Sequence, residues 1–393
     1  MNLSRNMRLT LFAALYFAQG TMMSYFLTFN ILYLGEYGYG PADVGIFQAV
    51  LVIPFLLKIF LGMLSDGVNL FGMGHRKPYI LIGLLGQAIT MLILPHIPVG
   101  DGLGTFAIVA FIASTSMALY DTCTDGLALD TTPEKEQGTV QGVMVGARAA
   151  GILLMLLVGG AIAESWGWSW LFYLVSLLVI PTLFLVGRVE EGSVGVKQEK
   201  FQWSSFKAFG KGEVLMVAAM GLIYALALDG VLTFLGDYVM NVLDVSLGNT
   251  SVLVALSMVG RIVGALSNSR VTDRIGHRPS LFVAIGLTSF ACVGLALGGG
   301  VPLVALFAFL FGLAYGYYSA IYAAVAMDLS DPRIAASMFA IFMMFLNLGT
   351  VGGQALGGVL TESLGFAGMA LVMGGVNLVN VLLVVLAFRR KKA

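Results

Sequence analysis

Long apolar runs alternate with short polar breaks along nearly the whole chain. A hydrocarbon core about 30 Å thick is crossed by roughly 20 apolar residues in a helix. Twelve stretches meet that length. Six precede the middle of the chain, at residues 9–34, 43–64, 78–97, 104–130, 138–163 and 168–189. Six follow it, at 213–237, 250–271, 279–297, 302–328, 335–361 and 366–388. The pattern predicts an all-α membrane protein with twelve transmembrane helices. The first stretch is too long for a signal-peptide core and no small-residue cleavage site follows it, so it reads as a retained helix.

Charge supplies the orientation. With the N-terminus in the cytoplasm and alternating crossings, Arg5, Arg8, Arg76, Lys77, Lys135, the basic residues between Arg188 and Lys211, Arg270, Arg274, Arg278, Arg333 and the closing "RRKK" all face inward. They are 18 of the 21 basic residues, and the outer loops receive none. Lys58, Arg148 and Arg261 fall inside spans. The inside-positive rule therefore places both termini in the cytoplasm.

Composition narrows the class. Charged residues are 11% of the chain, against about 25% in soluble domains, so the surface is built for lipid. Net charge is zero, which argues against a nucleic-acid partner. Cys123 and Cys292 both lie inside spans, so no disulfide framework is expected. His75, His96 and His277 are the only histidines and fall in predicted loops; no metal site and no cofactor are expected. No phosphate-binding Gly-x-x-x-x-Gly-Lys loop and no nucleophile–base constellation occur, so neither an ATP motor nor an enzyme is indicated.

The longest polar stretch, "GRVEEGSVGVKQEKFQWSSFKAFGKGE", divides six spans from six. The predicted organisation is an N-terminal half at 1–189, a cytoplasmic linker at 190–212 and a C-terminal half at 213–393. The linker aromatics Phe201, Trp203, Phe206 and Phe209 suit a short surface helix, and a plain tether is the competing reading. The halves repeat weakly, about 200 residues apart. "GMLSDGVNLFGMGHRKPY" corresponds to "SRVTDRIGHRPS", and "ALDTTPEKEQG" to "AMDLSDPRIAA". Repeated six-span halves are a transporter architecture with substrate near the midplane.

Gly62, Asp66, Gly74, Arg76 and Lys77, and again Asp273, Arg274, Gly276 and Arg278, resemble the signature loop of the major facilitator superfamily. The resemblance covers nearly the whole chain. The first copy carries extra residues between Asp66 and Gly74, and the second has Ser269 in place of the leading glycine. The longer first loop, ending "GHRKPY", is similar to the folate–biopterin transporter, muropeptide permease and sugar–cation symporter branches. "DTCTDGLALD" looks most like the muropeptide and acetyl-coenzyme A permease group, and "LALDTTP" is shared with bacteriochlorophyll-associated permease-like proteins. The resemblance implies that Asp66, Asp273, Arg76, Lys77, Arg274 and Arg278 latch a cytoplasmic gate. Asp130 and its repeat counterpart Asp328 read as boundary residues that hold adjoining helix ends.

Inside the spans, Asp121 and Asp125 are four residues apart and share a helix face. Asp121 lies roughly 15 Å from the inner end of its span, a depth similar to that of Arg148. An isolated charge there costs about 3 kcal/mol, so a partner is expected. Two carboxylates and one arginine leave one carboxylate over, a proton carrier on one reading and part of a permanent ion pair on the other. Arg148 is alternatively a bidentate site for a substrate anion. Lys58 and Arg261 occupy comparable places in the second and eighth spans. Asp229 either pairs with Arg261 or titrates. Tyr315, Tyr318 and Tyr322 follow helical spacing and suit a ring-bearing solute or simple packing. Gln19, Asn347 and Gln354 are weaker pore-lining candidates. Gly138, Gly142 and Gly146, and Gly349, Gly353 and Gly357, predict close helix contacts.

The expected function is secondary transport of a polar, anionic organic solute by alternating access, with protons as a candidate coupling ion. The expected partners are a small-molecule substrate, protons and membrane lipid. The expected setting is a monomer in a bacterial inner membrane. The competing reading is a transporter-shaped protein that delivers or assembles a cofactor or pigment complex and moves nothing.

Overall fold

The computed structural model describes residues 4–100, 102–133, 136–189, 212–329 and 335–388. Nearly all of them are helical. The predicted linker up to 211, Lys135, Arg333 and the "RRKK" tail lie outside the described residues, and Gly212, expected in the linker, opens a helix.

Helix α1, Arg5–Ser24, starts on Ser4, whose hydroxyl accepts the Met7 N–H at 3.3 Å. It passes into a π turn, Tyr25–Phe29, and then α2, Asn30–Glu36. The Tyr25 hydroxyl, fully buried, donates to Asn30 Oδ1 at 3.0 Å across that turn. The second predicted span is also interrupted. Helix α3, Pro41–Leu56, contains Pro54, which supplies no N–H to its turn. Leu57 N–H then divides between the Ile53 and Pro54 carbonyls, both at 3.2 Å, and α4, Lys58–Gly67, starts anew. Lys58 thus stands at a helix start.

Helices α5 (Lys77–Ile93), α6 (Gly104–Thr131), α7 (Gln137–Trp166) and α8 (Trp168–Gly187) follow. In the second part α9, Gly212–Asp237, runs into another π turn, Tyr238–Val242, as α1 does. Helices α10 (Leu247–Ile275), α11 (His277–Leu297) and α12 (Val301–Asp328) precede α13, Ala335–Ala387. The last two predicted spans lie in α13 on either side of Gly365, whose φ of 71° interrupts the helix. Among the described residues nine helices are long and apolar enough to cross a membrane, and the last of them, Ile341–Ala387, contains both.

Two compact units result. One comprises Met1–Tyr37, Leu51–Glu199 and Leu247–Ser251; the other comprises Gly38–Val50, Lys200–Ser246 and Val252–Ala393. These differ from the predicted halves by two exchanged segments. In the first unit the Glu164 carboxylate accepts the Gly248 N–H at 2.8 Å, at the start of α10. In the second, Glu362 accepts the Ala42 N–H at 3.1 Å, at the start of α3. Each carboxylate satisfies an N–H that a helix start leaves unpaired.

Glycines set the helix spacing that carries the charged side chains. In the first unit, a methyl on Gly20 would collide with the Arg148 carbonyl and one on Gly151 with the Phe17 carbonyl, so α1 and α7 touch backbone to backbone. In the second, Gly316 meets the Arg261 carbonyl and Gly312 that of Ser257, clamping α12 to α10. Gly349, Gly353 and Gly357 pack against the carbonyls of Leu222, Leu226 and Gly230 on α9, as their spacing predicts. The other predicted face departs from expectation: Gly142 and Gly146 meet no neighbour, and α7 makes its close contact through Gly151 instead.

Candidate functional sites

The first unit holds a buried charge cluster. Asp121 on α6 is 3% exposed. Its Oδ2 accepts from Lys58 Nζ and its Oδ1 from Gln19 Nε2, and Arg148 Nη2 lies 3.8 Å from Oδ1. One helical turn on, Asp125 Oδ1 accepts the Tyr16 hydroxyl. The face of the same Tyr16 ring carries the Arg148 guanidinium, 4.4 Å from its centroid. Lys58 also sits 5.4 Å from the Phe55 ring.

This arrangement adds Lys58 to the expected pairing. Sequence spacing suggests one carboxylate for Arg148 and one left over. The geometry gives both cations to Asp121 and a neutral hydroxyl to Asp125. Tyr16 was not anticipated, because an uncharged ring inside an apolar run carries no signal. Gln19 does not line an open path; it is 2% exposed and fixes Asp121 from the side opposite Lys58. Its Oε1 and the Arg148 Nε are buried with no hydrogen-bond partner.

The second unit has its own cluster. Asp229 on α9 accepts the Tyr315 hydroxyl on Oδ1 at 2.8 Å and the Thr350 hydroxyl on Oδ2 at 2.5 Å. The Arg261 guanidinium lies over the Tyr315 ring, 3.8 Å from its centroid. Tyr315 therefore stands between acid and base, offering its hydroxyl to one and its face to the other. Thr350 had no sequence signal.

Tyr318 and Tyr322 are fully buried. Tyr318 packs 4.2 Å from the Tyr224 ring, and the Tyr322 ring fills the space left by Gly221. Those two rings serve packing here, while Tyr315 reaches the carboxylate. Asn347 and Gln354 lie on α13 near Thr350, and neither hydrogen-bonds to Asp229 among the described residues. Gln354 is buried, with its backbone carbonyl against Gly45.

At the ends predicted to be cytoplasmic, Arg76 is 7% exposed. Its Nε lies 3.3 Å from Asp130 Oδ2 and its Nη1 donates to Ser65 Oγ at 2.8 Å. Gly126 leaves the room its guanidinium occupies. Lys77 Nζ donates to the Gly187 carbonyl at 2.9 Å. Arg8 adds an unanticipated pair with Glu136 and reaches the Thr131 carbonyl at 3.3 Å. In the second unit, Asp328 lies 3.2 Å from His277 Nδ1. His277, expected in a loop, opens α11. Asp273, Arg274 and Arg278 are exposed and form no ion pair among the described residues, and Arg278 lies 6.0 Å from the Phe282 ring. The Asp66 side chain lies outside the described set.

Comparison with known proteins follows the same lines. The sequence profile described as Major Facilitator Superfamily matches residues 12–302 and 217–393. A folate-biopterin transporter of Synechocystis sp. is 28% identical over 192 residues, 48% of this chain and 38% of that protein. The chain thus spans well under half of that relative's length. The multidrug resistance protein MdtG of Klebsiella pneumoniae is 23% identical over 395 residues, 96% of this chain and 92% of the relative. Among solved structures, the nucleoside transporter NupG superposes with a TM-score of 0.81 at 15% identity, over 98% of this chain and all of that one. A D-xylose-proton symporter superposes with a TM-score of 0.79 at 15% identity, over 98% of each chain.

Proposed function

The chain belongs to the major facilitator superfamily, and from that premise we propose that it is a secondary transporter of a polar, anionic organic solute, working by alternating access and coupled to protons. It is an integral membrane protein of a transporter family rather than an enzyme. The proposed setting is a bacterial inner membrane, with the chain as a monomer in lipid, twelve crossings in two six-helix halves, and both termini cytoplasmic.

One observation carries the coupling. Asp121 and Asp125 share a face of a membrane-spanning helix, yet their surroundings differ. Asp121 is held by two cations; Asp125 is held by the Tyr16 hydroxyl. A carboxylate with a neutral partner is the one that exchanges a proton at the smaller electrostatic cost, because no salt bridge has to break. Asp125 is therefore the proposed carrier and Asp121 the fixed counter-ion. A proton arriving from water binds the Asp125 carboxylate and leaves it when that site opens to the other side.

The proposed solute carries a ring as well as a negative charge. This is supported by the Synechocystis relative, a folate-biopterin transporter. Folates combine a planar ring with carboxylates, so they head the ligand panel, alongside sugars, nucleosides and muropeptide fragments. A ligand at one hundred times its dissociation constant raises unfolding stability by about 2.7 kcal/mol, which selects the class. Uptake of that solute into liposomes is then measured with and without an imposed proton gradient. Asp125→Asn is expected to keep binding and solute exchange but to lose accumulation against a gradient. Accumulation indifferent to the proton gradient and unchanged in both Asp121→Asn and Asp125→Asn removes the coupling.

A further inference from the structure

We propose that Arg261 receives the anionic group, a carboxylate or phosphate, of the transported solute, with the Tyr315 ring as its platform. This rests on the transport reading above, but it assigns the anion to a cation outside the first unit's cluster.

The two cations inside the predicted spans of the first unit already share a carboxylate: Lys58 and Arg148 both lie against Asp121. Arg261 lies inside α10, in the span expected to correspond to that of Lys58, which opens α4. The helix across from it differs. Helix α12, the repeat counterpart of α6, has no acidic residue before Asp328 at its end. The acids that Lys58 meets on α6 therefore have no counterpart beside Arg261. The nearby acid, Asp229, already accepts one hydroxyl hydrogen bond on each oxygen. Among the described residues Arg261 lies in no ion pair, and its contact is the Tyr315 ring at 3.8 Å.

Charge balance separates a packing role from a binding role. An arginine inside a membrane helix calls for a counter-charge. Stacking on an aromatic ring returns only part of the cost of burying it. Asp229 stands beyond the Tyr315 hydroxyl and makes no ion pair with Arg261 among the described residues, so a direct counter-ion is left for an anion to supply. Arg261 is half-buried as a residue, and a guanidinium stacked by one face on a ring still has in-plane N–H donors that match the paired oxygens of a carboxylate or phosphate. Its position is firm, because Gly316 holds the Arg261 backbone against α12.

The test needs no identified substrate. The full chain in detergent is treated with phenylglyoxal, which modifies accessible guanidinium groups, and peptide mass spectrometry reads Arg261 and Arg148 separately. Benzoate and inorganic phosphate serve as anion probes and benzamide as the neutral control. Benzoate or phosphate at about ten times its dissociation constant should slow modification of Arg261 roughly tenfold, and the two probes separate carboxylate from phosphate preference. Benzamide should leave the rate unchanged, and Arg148 should respond to none of them. Protection should persist in Asp229→Asn. Protection at Arg148 instead, equal protection by benzamide, loss of protection in Asp229→Asn, or no protection by either anion each overturns the assignment. The transport reading is judged apart from this. Liposomes showing no solute flux while Arg261 is protected would remove that reading and keep the anion site. Flux undiminished in Arg261→Gln would do the reverse.

Discussion

Asp121 and Asp125 differ by one helical turn and by everything around them. Asp121, 3% exposed, is the carboxylate that both Lys58 and Arg148 approach, and their side chains are 30% and 32% exposed. Removing the shared carboxylate takes away the acid that both cations touch. For a fully buried pair that loss runs to about 3–5 kcal/mol, and the partial exposure of both cations argues for the low end. Asp121→Asn is therefore expected to lower unfolding stability in detergent by about 3 kcal/mol. Asp125→Asn, whose partner is a neutral hydroxyl, should lose only about 1 kcal/mol. Equal losses in a denaturant titration would mean that the two carboxylates are not divided in this way. The charged members of this cluster were legible in the sequence, because a charge inside an apolar run needs a partner. Tyr16 and Thr350 were not, because a hydroxyl inside a span has many harmless uses and only geometry shows which carboxylate it meets.

Among the helices, periodic glycine predicted close approach twice and was right once. Gly353 packs against the Leu226 carbonyl, whereas Gly142 faces open space. A methyl added at Gly353 must displace backbone, which costs about 1–3 kcal/mol. At Gly142 the same methyl meets nothing, and helix propensity favours alanine over glycine by about 0.8–1.0 kcal/mol. Gly353→Ala should thus lower the unfolding midpoint and Gly142→Ala should leave it unchanged or raise it. A matching fall in both would show that α7 has a partner on that face. Small residues signal that two helices can approach; they do not name the helix that does.

For the whole molecule, the proposed topology follows from lysine and arginine counts and makes its own prediction. Val68 and Gly100 are both exposed and lie in successive loops, so they should be reached from opposite sides of the membrane. With Cys123 and Cys292 replaced by alanine, Val68→Cys in right-side-out vesicles should react with a permeant maleimide but not an impermeant one. Gly100→Cys should react with both. The reverse pattern would invert the topology.

By itself the sequence determined the membrane setting, the helical class, the repeat and the family resemblance. Each of these depends on hydrophobic length, on the sign of charge near span ends or on a local motif, and none needs to know which helices touch. Only the tertiary structure decided how the charges are shared. Asp121 takes both cations because α1 and α7 meet at Gly20, which brings Arg148 beside Gln19 and Tyr16. Arg261 faces a ring rather than an acid because α12 crosses α10 at Gly312 and Gly316. The exchange of 38–50 and 247–251 between the compact units was equally hidden, since Glu362 and Glu164 look like ordinary span-end acids until the helix starts they cap are in place.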